Sequence, residues 1–318
     1  MVFCVYFDPN VISAAESGGT YALQCLIGIL RGFEANCLLG EFDDFFVQDA
    51  LRERLNELQD DNARKALKSL FATLDKRKRF VYSLESRDAP PESRVADALI
   101  QGAQAELDLV LSENADNHPN PHNISTCNLV AYNTTHFEVE RAAASNGGRT
   151  FAAGSHAEYD FLDWTLRKAL KHCTSIQVYD KLFGERFRGN FEYSAKAFIR
   201  WLETFVADPS QVTLHVHCGL PGGNTDHFIQ NQLASFRRGR LAAMPITIQF
   251  YKTADGEDLP HQRYLITHQF AIDLGRGMDC LDPITQRNRE GKFGFASPDE
   301  LELALQSVPA PSLPPVRF

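Results

Sequence analysis

Hydrophobic residues recur every three or four positions in several stretches of the first half of the chain, the spacing that places them on one face of an α-helix. These helical stretches span residues 21–33, 47–58, 62–76 and 97–107. Short apolar runs typical of β-strands lie at residues 4–7, 80–84, 107–112 and 128–132. Helices that alternate with short apolar strands predict an α/β domain with a mostly parallel sheet flanked by helices.

The second half of the chain shows the same alternation beyond a glycine-rich stretch. This stretch begins at Asn146 and predicts a linker, so we place two domains at residues 1–150 and 151–318. Strand-like runs lie at 175–180, 212–218, 246–251, 264–270 and 271–275, and helical stretches at 162–172, 195–205 and 224–238. They predict a second α/β domain, which ends in a proline-rich, extended or disordered tail at residues 308–316.

Composition and charge narrow the class of protein. The 318 residues are 44% hydrophobic and 23% charged, which excludes a collagen, a coiled coil and a wholly disordered chain. Residues 1–160 carry 14 Lys and Arg against 24 Asp and Glu, so this half does not attract nucleic acid through its general field. The seven cysteines form no CxxC pair, and no apolar run approaches the length of a transmembrane segment. We therefore expect a cytoplasmic protein.

Acidic residues stand where the strands of the first predicted sheet end. Asp8 ends the first strand, Asp97 opens the helix of residues 97–107, and the strand of residues 107–112 runs into Asn114. Ligands of open α/β sheets bind at the carboxyl ends of the strands. Carboxylates gathered there can hold Mg²⁺ or Mn²⁺, which activates water and neutralises charge on a phosphodiester.

Four segments resemble, in order, the landmarks of a PIN-like domain over residues 1–145: VYFDPNV, VQDALRERLNEL, ADALIQGAQAELDLVLSEN and NLVAYNTTHFE. PIN domains are typically metal-dependent nucleases, often ribonucleases, with four acidic residues at one end of the sheet. The resemblance implies that Asp8, Glu53 and Asp97 are the first three of these. Asn114 stands where a fourth aspartate is frequent, and Asp116 is the nearest carboxylate that could compensate.

Each of these acids also has a purely structural interpretation. Asp8 lies in an Asp-Pro-Asn sequence that suits a turn, and Asp97 suits the N-cap of its helix. Glu53 lies about 200° around its helix from Leu51, on a face that lines a groove or meets water. The nuclease prediction therefore rests on the joint spacing of the acids.

A second set of candidates lies in residues 259–283, where His261-x-Arg263 precedes the Gly-Arg-Gly that contains Arg276. A phospholipase-D-type site needs a histidine nucleophile, a lysine and a second histidine. Arginine replaces the lysine here, and the chain has no second copy of the motif. The segments YDKLFGERFRGNFEY, VTLHVHC, HQRYLIT and IDLGRGMD resemble the phospholipase-D-like domain at the C-terminus of microtubule-interacting-and-trafficking proteins. That resemblance implies non-catalytic recognition.

Two interpretations of this second set stay open. Arg263 and Arg276 could bind a phosphate or carboxylate beside His261, or His261 and Arg263 could form a buried polar pair that fixes the strand. His215 and His217 lie on one face of a predicted strand, where a packed or hydrogen-bonded pair is favoured over a zinc site.

These features predict a metal-dependent endonuclease that cleaves RNA in preference to DNA, joined to a non-catalytic recognition or regulatory domain. The second domain would bind nucleic acid, a protein partner or a regulator, and the arrangement suits a toxin or defence effector. The alternative is a non-catalytic protein that binds an anion, a lipid or a partner through Arg263 and Arg276. A third interpretation is a phosphodiesterase at His261 that is completed by a second copy in a homo-oligomer.

Overall fold

The computed structural model describes twelve segments of the chain, which forms two compact units, Met1–Ser145 and Asn146–Phe318. The described segments are residues 2–86, 94–145, 149–151, 166–180, 201–202, 204–206, 208, 211–219, 247–253, 263–275, 291–296 and 316–317. The helix predicted at residues 224–238 lies outside them, as do His261, Arg276 and most of the proline-rich tail.

The first unit is an α/β fold around one five-stranded parallel sheet, which confirms the predicted fold class. Its strands are β1 (Phe3–Phe7), β2 (Cys37–Phe42), β3 (Phe80–Leu84), β4 (Leu109–Leu111) and β5 (Ser125–Cys127). Its helices are α1 (Asn10–Ser17), α2 (Gly19–Asn36), α3 (Phe46–Glu57), α4 (Asp61–Lys76), α5 (Arg94–Gln101) and α6 (His136–Ser145). The strand order is β3-β2-β1-β4-β5, and all four neighbouring pairs are parallel.

β1 and β2 lie in the interior of the sheet, and their burial fits that position. Every residue of both strands is buried, as expected where helices cover both faces of a parallel sheet. α4 begins where the Asp60 carboxylate accepts hydrogen bonds from the backbone N–H groups of Asn62 and Ala63. Its buried positions are Ala63, Leu67, Phe71 and Leu74, a stripe at helical spacing.

The structure corrects some predicted elements of the first unit. The helix predicted at residues 97–107 is α5, which begins at Arg94 and ends at Gln101. The strand predicted at residues 128–132 is wrong. The Asn128 side chain accepts a hydrogen bond from the backbone N–H of Ala131, which makes a turn there, and the strand itself is β5, just before that turn. α1 and β2 were not anticipated.

The second unit contains a mixed sheet. Its strands are β6 (Arg149–Phe151), β7 (Ser175–Tyr179), β8 (Thr213–Gly219), β9 (Thr247–Thr253), β10 (Tyr264–Thr267), β11 (Ala271–Asp273), β12 (Gly291–Phe295) and β13 (Val316–Arg317). Their order is β13-β9-β8-β7-β10-β11-β12-β6, in which β7, β8 and β9 are parallel and the other neighbours antiparallel. The strands predicted between residues 175 and 275 are therefore present, and β13 lies at the end of the predicted tail. Residues 166–171 are helical.

No described helix is both long enough and apolar enough to cross a bilayer.

Candidate functional site

Asp8 lies at the carboxyl end of β1, almost fully buried, and two hydrogen bonds hold its carboxylate. Oδ1 accepts from the backbone N–H of Asn10 at 3.0 Å, and Oδ2 accepts from the Ser112 hydroxyl at 2.6 Å. Ser112 follows β4, and the backbone N–H of Asp8 donates to the carbonyl of Leu111. The ends of β1 and β4 are therefore tied together, and the Asp8 carboxylate is fixed between them.

Asp97 lies in the first turn of α5 and is also buried. Asp97 and Asp8 both act electrostatically on Tyr6, a fully buried residue of β1. The pKa of Tyr6 is raised well above its usual value, first by burial and then by the negative charges of Asp8, Glu41 and Asp97. The structure therefore brings the predicted Asp8 and Asp97 into one acidic neighbourhood at the carboxyl edge of the sheet.

Glu41, in β2, also acts electrostatically on Tyr6, and the sequence pattern did not predict it. Its Oε1 accepts hydrogen bonds from the backbone N–H groups of Phe42 and Val47, both at 2.8 Å, and its Oε2 accepts from that of Gln48 at 2.9 Å. Burial raises the pKa of Glu41, and these three hydrogen bonds oppose that shift. Its carboxylate therefore caps α3. The sequence feature that could have pointed to Glu41 is a single acid near the end of the apolar run CLLGEF.

Arg94, at the start of α5, is a second missed residue. Its Nη2 donates to Asp44 Oδ2 at 2.5 Å, and its guanidinium lies 4.8 Å from the ring centre of Phe42 and 5.1 Å from that of Phe46. Among the described residues its Nε and Nη1 have no hydrogen-bond partner, and neither does the Tyr6 hydroxyl. Buried polar atoms in that state cost stability.

The other three predicted site residues are exposed to solvent. Glu53 is exposed on α3, between the buried Leu51 and Leu55, and so lies outside the buried acidic neighbourhood. Asn114 is exposed, and its backbone N–H, rather than its side chain, contacts Ser112 Oγ at 3.2 Å. Asp116 is exposed, and its Oδ1 accepts from the Thr126 hydroxyl at 3.2 Å.

The described acids of the first unit form no cage of metal ligands. Within the described segments, no three His, Cys, Asp or Glu side chains lie close enough together to hold a metal ion. Mg²⁺ is usually held by one or two carboxylates and keeps several waters, so it does not need a cage of protein ligands. Asp8 and Asp97, two buried carboxylates from different elements, are the residues that would hold such an ion.

In the second unit, Arg263 makes an ion pair with Asp180. Arg263 Nε lies 3.4 Å from Asp180 Oδ1, and its Nη1 donates to the carbonyl of Gly275 at 3.4 Å. The Asp180 carboxylate is fully buried, while Arg263 is partly exposed. Arg263 therefore has a buried carboxylate as its counter-ion, which makes it a weaker receptor for an anion.

His217 in β8 is packed and hydrogen-bonded. Its ring stacks on that of Tyr179 at a centroid separation of 4.2 Å, and its Nε2 lies 3.2 Å from Gln177 Oε1. Burial, aided by the neighbouring His215, lowers the pKa of His217 to about 3, so the ring is neutral at pH 7.

Lowering the pH from 7 to 5 is expected to destabilise the second unit by about 2 kcal/mol through His217. The pKa of His217 is about 3 in the folded chain and about 6.5 in the unfolded chain. Below pH 6.5 the unfolded chain therefore takes up a proton that the folded chain does not, and the free energy of unfolding falls. His217→Phe keeps a ring against Tyr179 but takes up no proton. Urea unfolding of both proteins at pH 7 and pH 5 tests this, and an equal acid loss in both would contradict it.

No protein-family model matches the chain, and no curated protein matches it either. The resemblances to PIN-like and phospholipase-D-like domains therefore stay predictions.

Proposed function

We propose that this chain is a metal-dependent endonuclease that cleaves RNA in preference to DNA, with its active site in the first unit. The observation that carries the proposal is the burial of two carboxylates that both act electrostatically on Tyr6. Asp8 lies at the carboxyl end of β1 and Asp97 in the first turn of α5. Burying a carboxylate costs free energy unless hydrogen bonds or a cation compensate its charge. Ligands of open α/β sheets bind at the carboxyl ends of the strands, where Asp8 lies.

The hydrogen bonds around Asp8 support its proposed role. The Ser112 hydroxyl and the backbone N–H of Asn10 both donate to its carboxylate, which fixes the direction of that carboxylate. Asp97 would supply the second carboxylate of the metal site. A bound Mg²⁺ or Mn²⁺ would supply an activated water and neutralise charge on the phosphodiester. Asp116 and Asn114 would lie at the rim of this site, and Glu53 on the exposed face of α3.

The second unit would act in recognition or regulation, without catalysis. Its proposed partners are nucleic acid, a protein regulator or a second copy of the chain. The Arg263–Asp180 ion pair weighs against Arg263 as the main anion receptor, so the alternative of a purely anion- or lipid-binding protein has less support. A toxin or defence role rests on analogy alone.

Mn²⁺ binding tests the proposed metal site without relying on activity. Titration of the full chain with Mn²⁺, followed by the paramagnetic resonance of the free ion, should show binding that weakens about tenfold or more in Asp8→Asn and in Asp97→Asn. Asp61→Asn is the matched control, because Asp61 is an exposed acid that pairs with Arg64 on α4. Equal Mn²⁺ affinity in all four proteins would refute the site.

A further inference from the structure

Two aromatic side chains of the first unit expose half of their surface beside each other. Phe45 is 51% exposed and Tyr82 is 52% exposed. Their ring centroids lie 5.1 Å apart, with an angle of 68° between the ring planes. Gln48 Nε2 donates to the Tyr82 hydroxyl at 3.4 Å. We call this pair the aromatic platform.

The backbone at Phe45 is strained. Its φ is 62° and its ψ is 22°, a left-handed conformation that is rare for a bulky side chain. Half of the side chain remains in water, so packing alone does not explain a phenylalanine here. Strain of this kind concentrates at functional sites, where the surrounding structure holds it in place.

Hydrogen bonds on both sides of Phe45 hold the loop between β2 and α3. The backbone N–H of Phe45 donates to the Phe42 carbonyl, and its own carbonyl accepts from Asp49 N–H, both at 3.1 Å. Asp43 N–H donates to the Leu84 carbonyl at 3.1 Å, which ties the loop to β3. The aromatic platform is therefore pre-organised, so binding to it costs little ordering entropy.

Neighbours of Phe45 in the chain link the aromatic platform to the residues around Tyr6. Asp44, the residue before Phe45, is paired with Arg94, and Arg94 is one of the charges that act on Tyr6. Phe42, at the end of β2, packs edge-to-face on Tyr6 at 5.9 Å. The connection between β2 and α3 that carries Phe45 is therefore packed against the residues around Tyr6.

We propose that the aromatic platform, Phe45 and Tyr82, stacks one unpaired nucleobase of a bound strand. This rests on the proposed function. Exposed aromatic rings bind bases of single strands by stacking and do so with little sequence preference. Asp43 and Glu85, near the two rings in sequence, are exposed carboxylates that would repel the phosphates of the strand, so stacking of the uncharged base has to supply the affinity.

The size of the aromatic platform argues against a protein partner. Half of two aromatic side chains amounts to about 200 Å². A stable protein interface needs about 800 Å² on each partner, and charged residues surround these rings. A single base covers the platform, whereas a protein surface would bury the carboxylates with it.

A single-stranded RNA that carries one 2-aminopurine tests the proposal, because its fluorescence is quenched on stacking. In EDTA, where no metal-dependent cleavage occurs, the full wild-type chain should bind it and quench it. Phe45→Ala and Tyr82→Ala should each weaken binding about tenfold and abolish the quenching. A duplex of the same sequence should bind at least tenfold more weakly than the single strand.

Three further variants distinguish the loss of a platform ring from other effects of a substitution. Tyr82→Phe loses the hydrogen bond from Gln48 but keeps the ring, and should bind like wild type. Phe45→Gly removes the strain, so its melting temperature should stay level or rise while binding is lost. Tyr21→Ala removes another exposed aromatic residue, on α2, and should bind like wild type.

The outcomes separate this inference from the proposed function. Quenching that depends on Phe45 and Tyr82, in a chain that cleaves nothing, would support the platform and refute the nuclease. Metal-dependent cleavage with equal kcat/KM in Phe45→Ala and wild type would support the nuclease and overturn the platform. Wild-type RNA affinity in Phe45→Ala and Tyr82→Ala, equal affinity for the duplex, or no RNA binding at all would likewise overturn it.

Discussion

Asp97→Asn is expected to lower metal-dependent cleavage of RNA at least about a hundredfold and to leave the fold intact. The change removes one of the two buried carboxylates proposed to hold the metal, while the amide keeps the shape of the side chain. Asp8→Asn should have the same effect, because Asp8 is the other buried carboxylate proposed to hold the metal. Initial cleavage rates in Mg²⁺, with melting temperatures measured alongside, test the expectation.

Asp49→Asn is the matched control for these two variants. Asp49 is an exposed acid of α3, paired with Arg52 at 2.6 Å, and its loss should change cleavage less than twofold. Full activity in Asp97→Asn, or an equal loss in Asp49→Asn, would contradict the proposed site. A large fall in the melting temperature of Asp97→Asn would instead assign Asp97 a structural role.

Glu41→Gln is expected to destabilise the first unit by about 3 kcal/mol. The fully buried Glu41 carboxylate accepts three backbone hydrogen bonds, two from the first turn of α3 and one from Phe42 in β2. In glutamine one of the two oxygens becomes an NH₂ group, which cannot accept, so at least one buried N–H loses its partner. Urea unfolding at pH 7 measures the loss.

Glu57→Gln provides the comparison at the other end of α3. Glu57 is exposed and paired with Arg54, so its replacement should cost less than about 0.5 kcal/mol. Equal stability of Glu41→Gln and Glu57→Gln would show that the cap of α3 contributes little. A greater loss in Glu41→Gln would support the assignment of its carboxylate as the cap of α3.

The fold class of the first unit followed from local patterns, because its strands are short apolar runs between amphipathic helices. β2 was missed because it follows α2 directly, and no glycine or proline separates the two elements. The false strand at residues 128–132 has an apolar pattern, but the side chain of Asn128 makes a turn there instead. A local hydrogen bond of this kind overrides the periodicity.

The candidate site could be predicted only where an acid ends or begins an element. Asp8 met that condition because it follows a strand. Asp97 met it only in the predicted pattern, since the helix expected to begin there begins at Arg94. Glu41, Tyr6 and Arg94 have the pattern of ordinary strand and helix residues. Their importance comes from burial at one edge of the sheet, which depends on contacts between residues distant in sequence.

The left-handed backbone of Phe45 has no sequence signal, because residues that adopt it readily are glycine and asparagine. It arises from the tight connection between β2 and α3, which the Glu41 cap and the Asp44–Arg94 ion pair fix in place. The aromatic platform therefore became visible only in three dimensions.

Metal-dependent cleavage of a labelled single-stranded RNA by the purified full chain tests the central claim most directly. The reaction is run in Mg²⁺ or Mn²⁺ and in EDTA, with single-stranded DNA of the same sequence in parallel and Asp97→Asn under each condition. The account predicts cleavage of RNA faster than DNA, abolished by EDTA and by Asp97→Asn. Cleavage that persists in EDTA or in Asp97→Asn, or no cleavage of either strand with both metals, would contradict it.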